Sequence, residues 1–291
     1  MKRSSYSTLI FAAVLALGLF ASGLAVAADG RDCIPPVNTP AANGAVITTR
    51  VFNDCPGSNL TWGNNYPSNI WFSDSDVDCV GWTNLHVWSF SEDGGITPAV
   101  FENCSHYIFH ATVVLNGEGP PANVVGVAEA GLRLSPWWGL NVDGRFMVRC
   151  GPPYGNGEIA CFGGRLPFYS FTANYGVTYT NENAAYLEIV YHPHSLTEAD
   201  PATIEYHLGY LGNFYSSGPL PFDQGTAIED PPHGLWGELF PARVGGYLQS
   251  PNNNSGGQWN WTATWWNIGY QGDGATPAAR STWGQLKTLY K

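Results

Sequence analysis

Before residue 276 no stretch of this chain keeps a helical period, but short runs alternating apolar and polar residues recur from Ala45 to Ile268. A strand turns successive side chains to opposite faces, so a period of two marks a strand buried on one side. The runs fall at 45–52, 68–72, 85–90, 107–115, 124–128, 145–150, 166–172, 185–191, 203–208, 243–249 and 259–268. Turn signals separate them: Asp93-Gly94-Gly95, Asp143-Gly144, Asn156-Gly157, Asn174-Tyr175-Gly176 and the stretch from Pro251 to Asn254. With 35 glycines and 21 prolines there is little room for long helices. The pattern predicts an all-β fold, an antiparallel β-sandwich of jelly-roll type. Its end differs: Ser281 can cap a short C-terminal helix within 276–291, with Trp283, Leu286, Leu289 and Tyr290 on one face.

Upstream of the strands, Lys2 and Arg3 precede an apolar run from Leu9 to Leu24, and Ala25-Val26-Ala27 supplies a small-x-small cleavage pattern. Residues 1–27 therefore read as a signal peptide, since the run is too short and poorly flanked for a dependable membrane span. Residues 28–43 read as a Pro- and Asn-rich extended leader, and 44–275 as one sandwich domain. The expectation is an exported protein, extracellular or periplasmic, without membrane insertion once the signal is removed. All six cysteines (Cys33, Cys55, Cys79, Cys104, Cys150 and Cys161) follow the cleavage site. An even count in an oxidising compartment predicts disulfides, and sequential pairing (33–55, 79–104, 150–161) is the simplest arrangement.

The net charge is −11, and the basic residues between Arg50 and Arg243 are scattered singly along the chain. Such a chain offers nothing to nucleic acid or an anionic membrane, both of which need clustered Lys and Arg. Charged residues, at 12%, are fewer than aromatics, at 14%. The polar surface must then come from Asn, Ser, Thr, Tyr and backbone, which suits a neutral, hydroxyl-rich partner such as a glycan or cell-surface polymer.

Several constellations could carry a site. Trp259, Trp261 and Trp265 alternate, so all three project from one face of one strand, either as a sugar-stacking platform or as core. Trp266 points the other way, and Trp137-Trp138 after Pro136 makes a second candidate platform. Asp74, Asp76 and Asp78 have the spacing of the first half of an EF-hand loop, but Cys79 stands where Gly is needed and Leu85 where Glu belongs. A looser Ca²⁺ loop remains, against a plain solvated turn. Glu188 and His192 share a face of one run, and Glu205 and His207 share a face of the next. If the faces meet, carboxylates and imidazoles gather as acid–base chemistry or a metal would require. Arg243, Tyr247 and Gln249 share a third face, opened by Gly245, that could take a carboxylated glycan with Tyr247 as a proton-transfer group.

No nucleophile elbow, H-E-x-x-H or paired-glutamate glucanase motif occurs. Three readings follow. The first is a glycan-binding or surface-interaction module using exposed aromatics, with a possible Ca²⁺. The second is a polysaccharide hydrolase or lyase centred on Glu188, His192, Glu205, His207 and Arg243. The third is a structural extracellular protein without a small ligand.

Overall fold

The computed structural model describes residues 43–79, 82–101, 105–119, 128–135, 144–150, 157–163, 166–195, 199–221, 243–251 and 258–272. The expected signal peptide, all of the expected leader but Asn43, Trp137, Trp138, Cys33, Cys104 and the helix expected at 276–291 lie outside them. The described chain forms two antiparallel sheets packed as a sandwich. One sheet runs β1 (Ala45–Phe52), β4 (Trp82–Phe90), β14 (Arg243–Pro251), β6 (Glu129–Ser135), β7 (Gly144–Arg149), β8 (Ile159–Phe162) and β9 (Tyr169–Ser170). The other runs β12 (Asn213–Ser216), β11 (Thr203–Tyr210), β10 (Ala184–His192), β5 (Tyr107–Glu118), β15 (Trp259–Gly272), β3 (Asn69–Val77) and β2 (Asn59–Asn65). A short β13 (Leu220–Pro221) pairs with β11 beside it.

Alternation sorts each strand into a core face and an outer face. In β5 the buried positions are Tyr107, Phe109, Ala111, Val113 and Leu115, with half-buried residues between them. In β15 the same rule sends Trp259, Trp261 and Trp265 inward, where each is at most 3% exposed. The three tryptophans are therefore core, and the platform reading of them is corrected. Trp265 meets Phe72 and Trp88 edge-on, and its indole N–H donates to the Gly131 carbonyl of the opposite sheet at 3.2 Å. Trp266 lies on the outer face, half-buried.

The one described helix, α1 (Phe171–Tyr175), replaces the end of the run expected at 166–172. Ser170 caps it by accepting from the Ala173 N–H, and Gly176 closes it in the left-handed conformation that glycine adopts without strain. Among the described residues no helix is long and apolar enough to cross a membrane.

The cysteine pairing is also corrected. Among the described residues Cys55 and Cys79 form a disulfide, with a Cα separation of 5.5 Å, which excludes both 33–55 and 79–104. Cys150 and Cys161 are buried free thiols. The antiparallel register sets Cys161 opposite Phe146, four residues from Cys150. At ~3.3 Å per residue that is about 13 Å, beyond the reach of a disulfide. Burial pushes the Cys150 thiol up to about 12, so it stays protonated.

Asp74 does not join Asp76 and Asp78. It points into the core, where Asn84 donates to its Oδ2 at 2.8 Å and His86 Nε2 lies 3.0 Å from the same oxygen. His86 Nδ1 accepts from the Arg50 backbone N–H at 3.1 Å, so Nε2 carries the proton and donates. Burial alone would raise the Asp74 carboxyl, but hydrogen bonding, with His86 foremost, outweighs it and holds the group below its ordinary value. A depressed folded value gives stability that is present above the unfolded carboxyl's ~3.9 and lost as pH falls through the folded one. An Asp74→Asn variant is expected to be about 1–3 kcal/mol less stable at neutral pH and to lose part of this acid dependence, read by urea denaturation at pH 7 and pH 3.

Candidate functional site

A groove of about 450 Å3 opens on the outer face of the eight-stranded sheet. Neighbouring strands build it: Ser73, Ser75 and Asp76 from β3, Asn116 and Glu118 from β5, and Asn260 and Thr262 from β15. Register explains the convergence, since Thr262 pairs with both Ser73 and Asn116, and Asn260 pairs with Glu118. A bulge sets Asp76. Between the Trp259–Val77 and Trp261–Asp74 pairs, β3 has one residue more than β15, and Asp76 takes a left-handed φ of 58°. That turns its carboxylate outward while Asp74 stays in. The Asp76 N–H donates to Asn260 Oδ1 at 3.2 Å, and Asn59 donates to Asp76 Oδ2 at 2.5 Å.

Two half-buried indoles stand on the same outer face as the groove. Trp71 is two residues before Ser73 on β3, and Trp266 lies four after Thr262 on β15. Trp71 lies over Gly63 of β2, where any Cβ would sit 2.3 Å from the indole nitrogen. Pockets for small ligands are usually lined by apolar side chains with a few polar ones. This one is lined by amides, hydroxyls and carboxylates alone, the complement of a ligand covered in hydroxyl groups.

The three aspartates proposed for Ca²⁺ are split. Asp74 is in the core, Asp76 in the groove, and Asp78 exposed beside the disulfide. Asp78 lies close to Cys55 and Cys79, but both sulfurs are tied in the disulfide and are not available as thiolate ligands. The Asp74–Asp76–Asp78 loop site is thus corrected by the bulge that separates its members.

The Glu/His group comes together only in part. Glu188 and His207 are paired across β10 and β11 on the outer face of the eight-stranded sheet, with Glu205 two residues away. His207 Nδ1 is 2.5 Å from Glu188 Oε1, and its Nε2 is 2.8 Å from Glu205 Oε1. Tyr186 donates to Glu188 and Ser216 to Glu205. His192, further along, places its ring 4.4 Å from that of His106. Arg243 stands on the seven-stranded sheet, so the five-residue catalytic set is corrected: it does not share one groove.

A carboxylate on each ring nitrogen favours the imidazolium form of His207. Glu188 above all raises its pKa, against a smaller opposing effect of burial. Glu188 is lowered, chiefly by His207; Glu205 is lowered despite its burial, by Ser216 and His207. Glycosidases need one carboxyl kept protonated. This cluster lowers both carboxyls, and its hydrogen bonds link β10, β11 and β12.

The sign differs for each partner: the His207 contribution is present below ~6.5 and lost as pH rises through its folded value. The carboxylate contributions are present above ~4.3 and lost as pH falls. A Glu188→Gln variant is expected to drop the His207 pKa by about one pH unit or more, followed by NMR of the ring protons.

The third face also departs from expectation. The described basic residues are Arg50, Arg133, Arg145, Arg149 and Arg243, and all but Arg50 stand on the outer face of the seven-stranded sheet. Scatter along the sequence therefore becomes a patch, because β14, β6 and β7 are neighbours. Tyr247 and Gln249 share this face and are buried, while Arg243 is exposed. Gly245 pairs in register with Ser89 and Arg133, without a bulge. Sequence reasoning missed Ser73, Ser75, Asn116, Glu118, Asn260 and Thr262, since small polar residues on alternating strands carry no motif.

No protein-family model matches this chain, and no curated protein does. Solved structures are similar at low identity. A marine PL7 alginate lyase, AlyA1 from Zobellia galactanivorans, is 10% identical over 80% of this chain and 96% of its own, with a TM-score of 0.42. A Lotus tetragonolobus seed lectin is 7% identical over 81% and 97%, with a TM-score of 0.38. The CBM2 module of the Lactobacillus casei BL23 phage J-1 evolved Dit is 12% identical over 81% and 96%, with a TM-score of 0.37. Likeness this distant leaves the fold to rest on the two sheets themselves.

Proposed function

We propose that this is an exported carbohydrate-binding protein that takes a neutral glycan in the groove of the eight-stranded sheet. The observation that carries the reading is the lining itself: four planar amide or carboxylate side chains and three hydroxyls meet in one cavity. Planar groups bond adjacent sugar hydroxyls in pairs, and Trp71 and Trp266 on the same face supply rings for the apolar side of a sugar.

A glycan array on the full chain, with and without EDTA, tests the proposal. Specific binding is expected, and it should survive EDTA because the three aspartates share no site. Asn260→Ala and Trp266→Ala should each weaken binding about tenfold, the worth of one or two hydrogen bonds or one stacked ring. A folded protein that binds nothing on the array, or that binds equally well after both substitutions, would overturn the reading.

A further inference from the structure

The arginine-bearing face of the seven-stranded sheet holds a second set of polar groups that the glycan groove does not use. Across three strands, Gln249 pairs with Glu129 and Glu129 with Arg149. In the next row Tyr247 pairs with Gly131 and Gly131 with Met147. Glu129, fully buried, accepts from both Arg145 and Arg149, the latter at 2.9 Å. Arg149 also reaches Glu158 at 3.8 Å, and the Arg145 guanidinium lies 4.7 Å from the centre of the Tyr247 ring. Gly131, between Tyr247 and Met147, can carry no side chain, because a Cβ there would meet the Phe146 carbonyl at 1.9 Å.

Three buried polar atoms in this cluster are left open: Arg149 Nε and Gln249 Oε1 have no hydrogen-bond partner, and Tyr247 Oη, which faces Arg145, has no acceptor for its O–H. Tyr247 is 0% and Gln249 1% exposed. Buried polar atoms in proteins are almost always paired, so three open ones in adjacent rows can receive polar groups from a ligand. Their chemistry states what it is. Tyr247 O–H and Arg149 N–H are donors left open amid arginines, which an anionic oxygen fills. Gln249 Oε1 is an acceptor left open, which a hydroxyl fills. The Arg149 side chain is 30% exposed, so the cluster lies one side chain from solvent.

We infer that this cluster is a second ligand site, for a carboxylate with a neighbouring hydroxyl, the group that a uronic acid or another sugar acid presents. It is separate from the groove of the opposite sheet and does not rest on the neutral-glycan reading. Arg149 and Tyr247 hold the carboxylate, and Gln249 accepts from the hydroxyl.

Calorimetric titration of the full chain with D-glucuronate, acetate and D-glucose tests the inference. Glucuronate should bind most tightly, acetate at least tenfold more weakly for want of the hydroxyl, and glucose should not use this site. Tyr247→Phe should weaken glucuronate at least tenfold. Gln249→Glu, of the same shape, sets a second negative charge against the carboxylate and should weaken it as much, so either variant that folds decides the matter. Asn260→Ala, in the groove, should leave glucuronate binding unchanged while reducing neutral-glycan binding, and so each reading can fail alone. No carboxylate binding, or binding untouched by the variants, overturns the site. So does a crystal structure in which ordered water pairs all three atoms and soaked glucuronate stays out.

Discussion

Replacing Trp265 with Ala is expected to destabilise the sandwich by about 3–5 kcal/mol, measured by urea denaturation of the full chain. Three contributions add at this residue. Its ring is fully buried, it packs edge-on against Phe72 and Trp88, and its N–H bonds the backbone of the opposite sheet. Loss of the ring opens a cavity between the sheets and leaves the Gly131 carbonyl short of a partner. A domain's whole stability is ~5–15 kcal/mol, so the variant stands near the edge of unfolding. The adjacent Trp266→Ala removes a half-buried ring on the outer face and should cost about 1 kcal/mol or less. Two neighbouring tryptophans, then, should differ severalfold in their effect.

Replacing Glu129 with Ala is the second large effect. The carboxylate is fully buried and shared by Arg145 and Arg149, whose side chains are 11% and 30% exposed. Removing one member of a buried ion pair costs ~3–5 kcal/mol because the other charge is left unpaired. Here both arginines can reach toward water, so about 3 kcal/mol is expected. Raising the pH will not restore it, since arginine keeps its charge. Glu158→Ala, which removes only the distant exposed contact to Arg149, should stay within ~0.5 kcal/mol. Equal effects of the two substitutions would show that Glu129 does not hold the cluster.

What was legible in the sequence follows from what each signal depends on. Alternation is local, so β1, β10 and β15 begin where the apolar pattern begins. β2, with the sequence Asn-Leu-Thr-Trp-Gly-Asn-Asn, was not legible: an edge strand exposed along most of its length has no buried face to produce the pattern. β6 was equally silent, because its outer face carries Glu129 and Arg133 under cover rather than in solvent, beside a glycine. Alternation also says that Trp259, Trp261 and Trp265 share a face, but not that the face is inside. That depends on the second sheet.

The site shows the same limit. Glu188 and His207 could be matched because their strands are consecutive. The arginine face could not, since β14 lies between β4 and β6, far from it in sequence. A single extra residue at the Asp76 bulge was enough to divide three carboxylates between core, groove and loop.

The strand order also governs when this chain can become a folded object at all. β15 sits between β5 and β3, and β14 between β4 and β6, so the interior of each sheet is completed by the last of the described strands. Until residue 251 is available, β4 and β6 have no strand to join them, and until residue 272 neither have β5 and β3. Contacts this distant in sequence make folding slow. A chain emerging from a ribosome therefore stays open until its last described strands have been made.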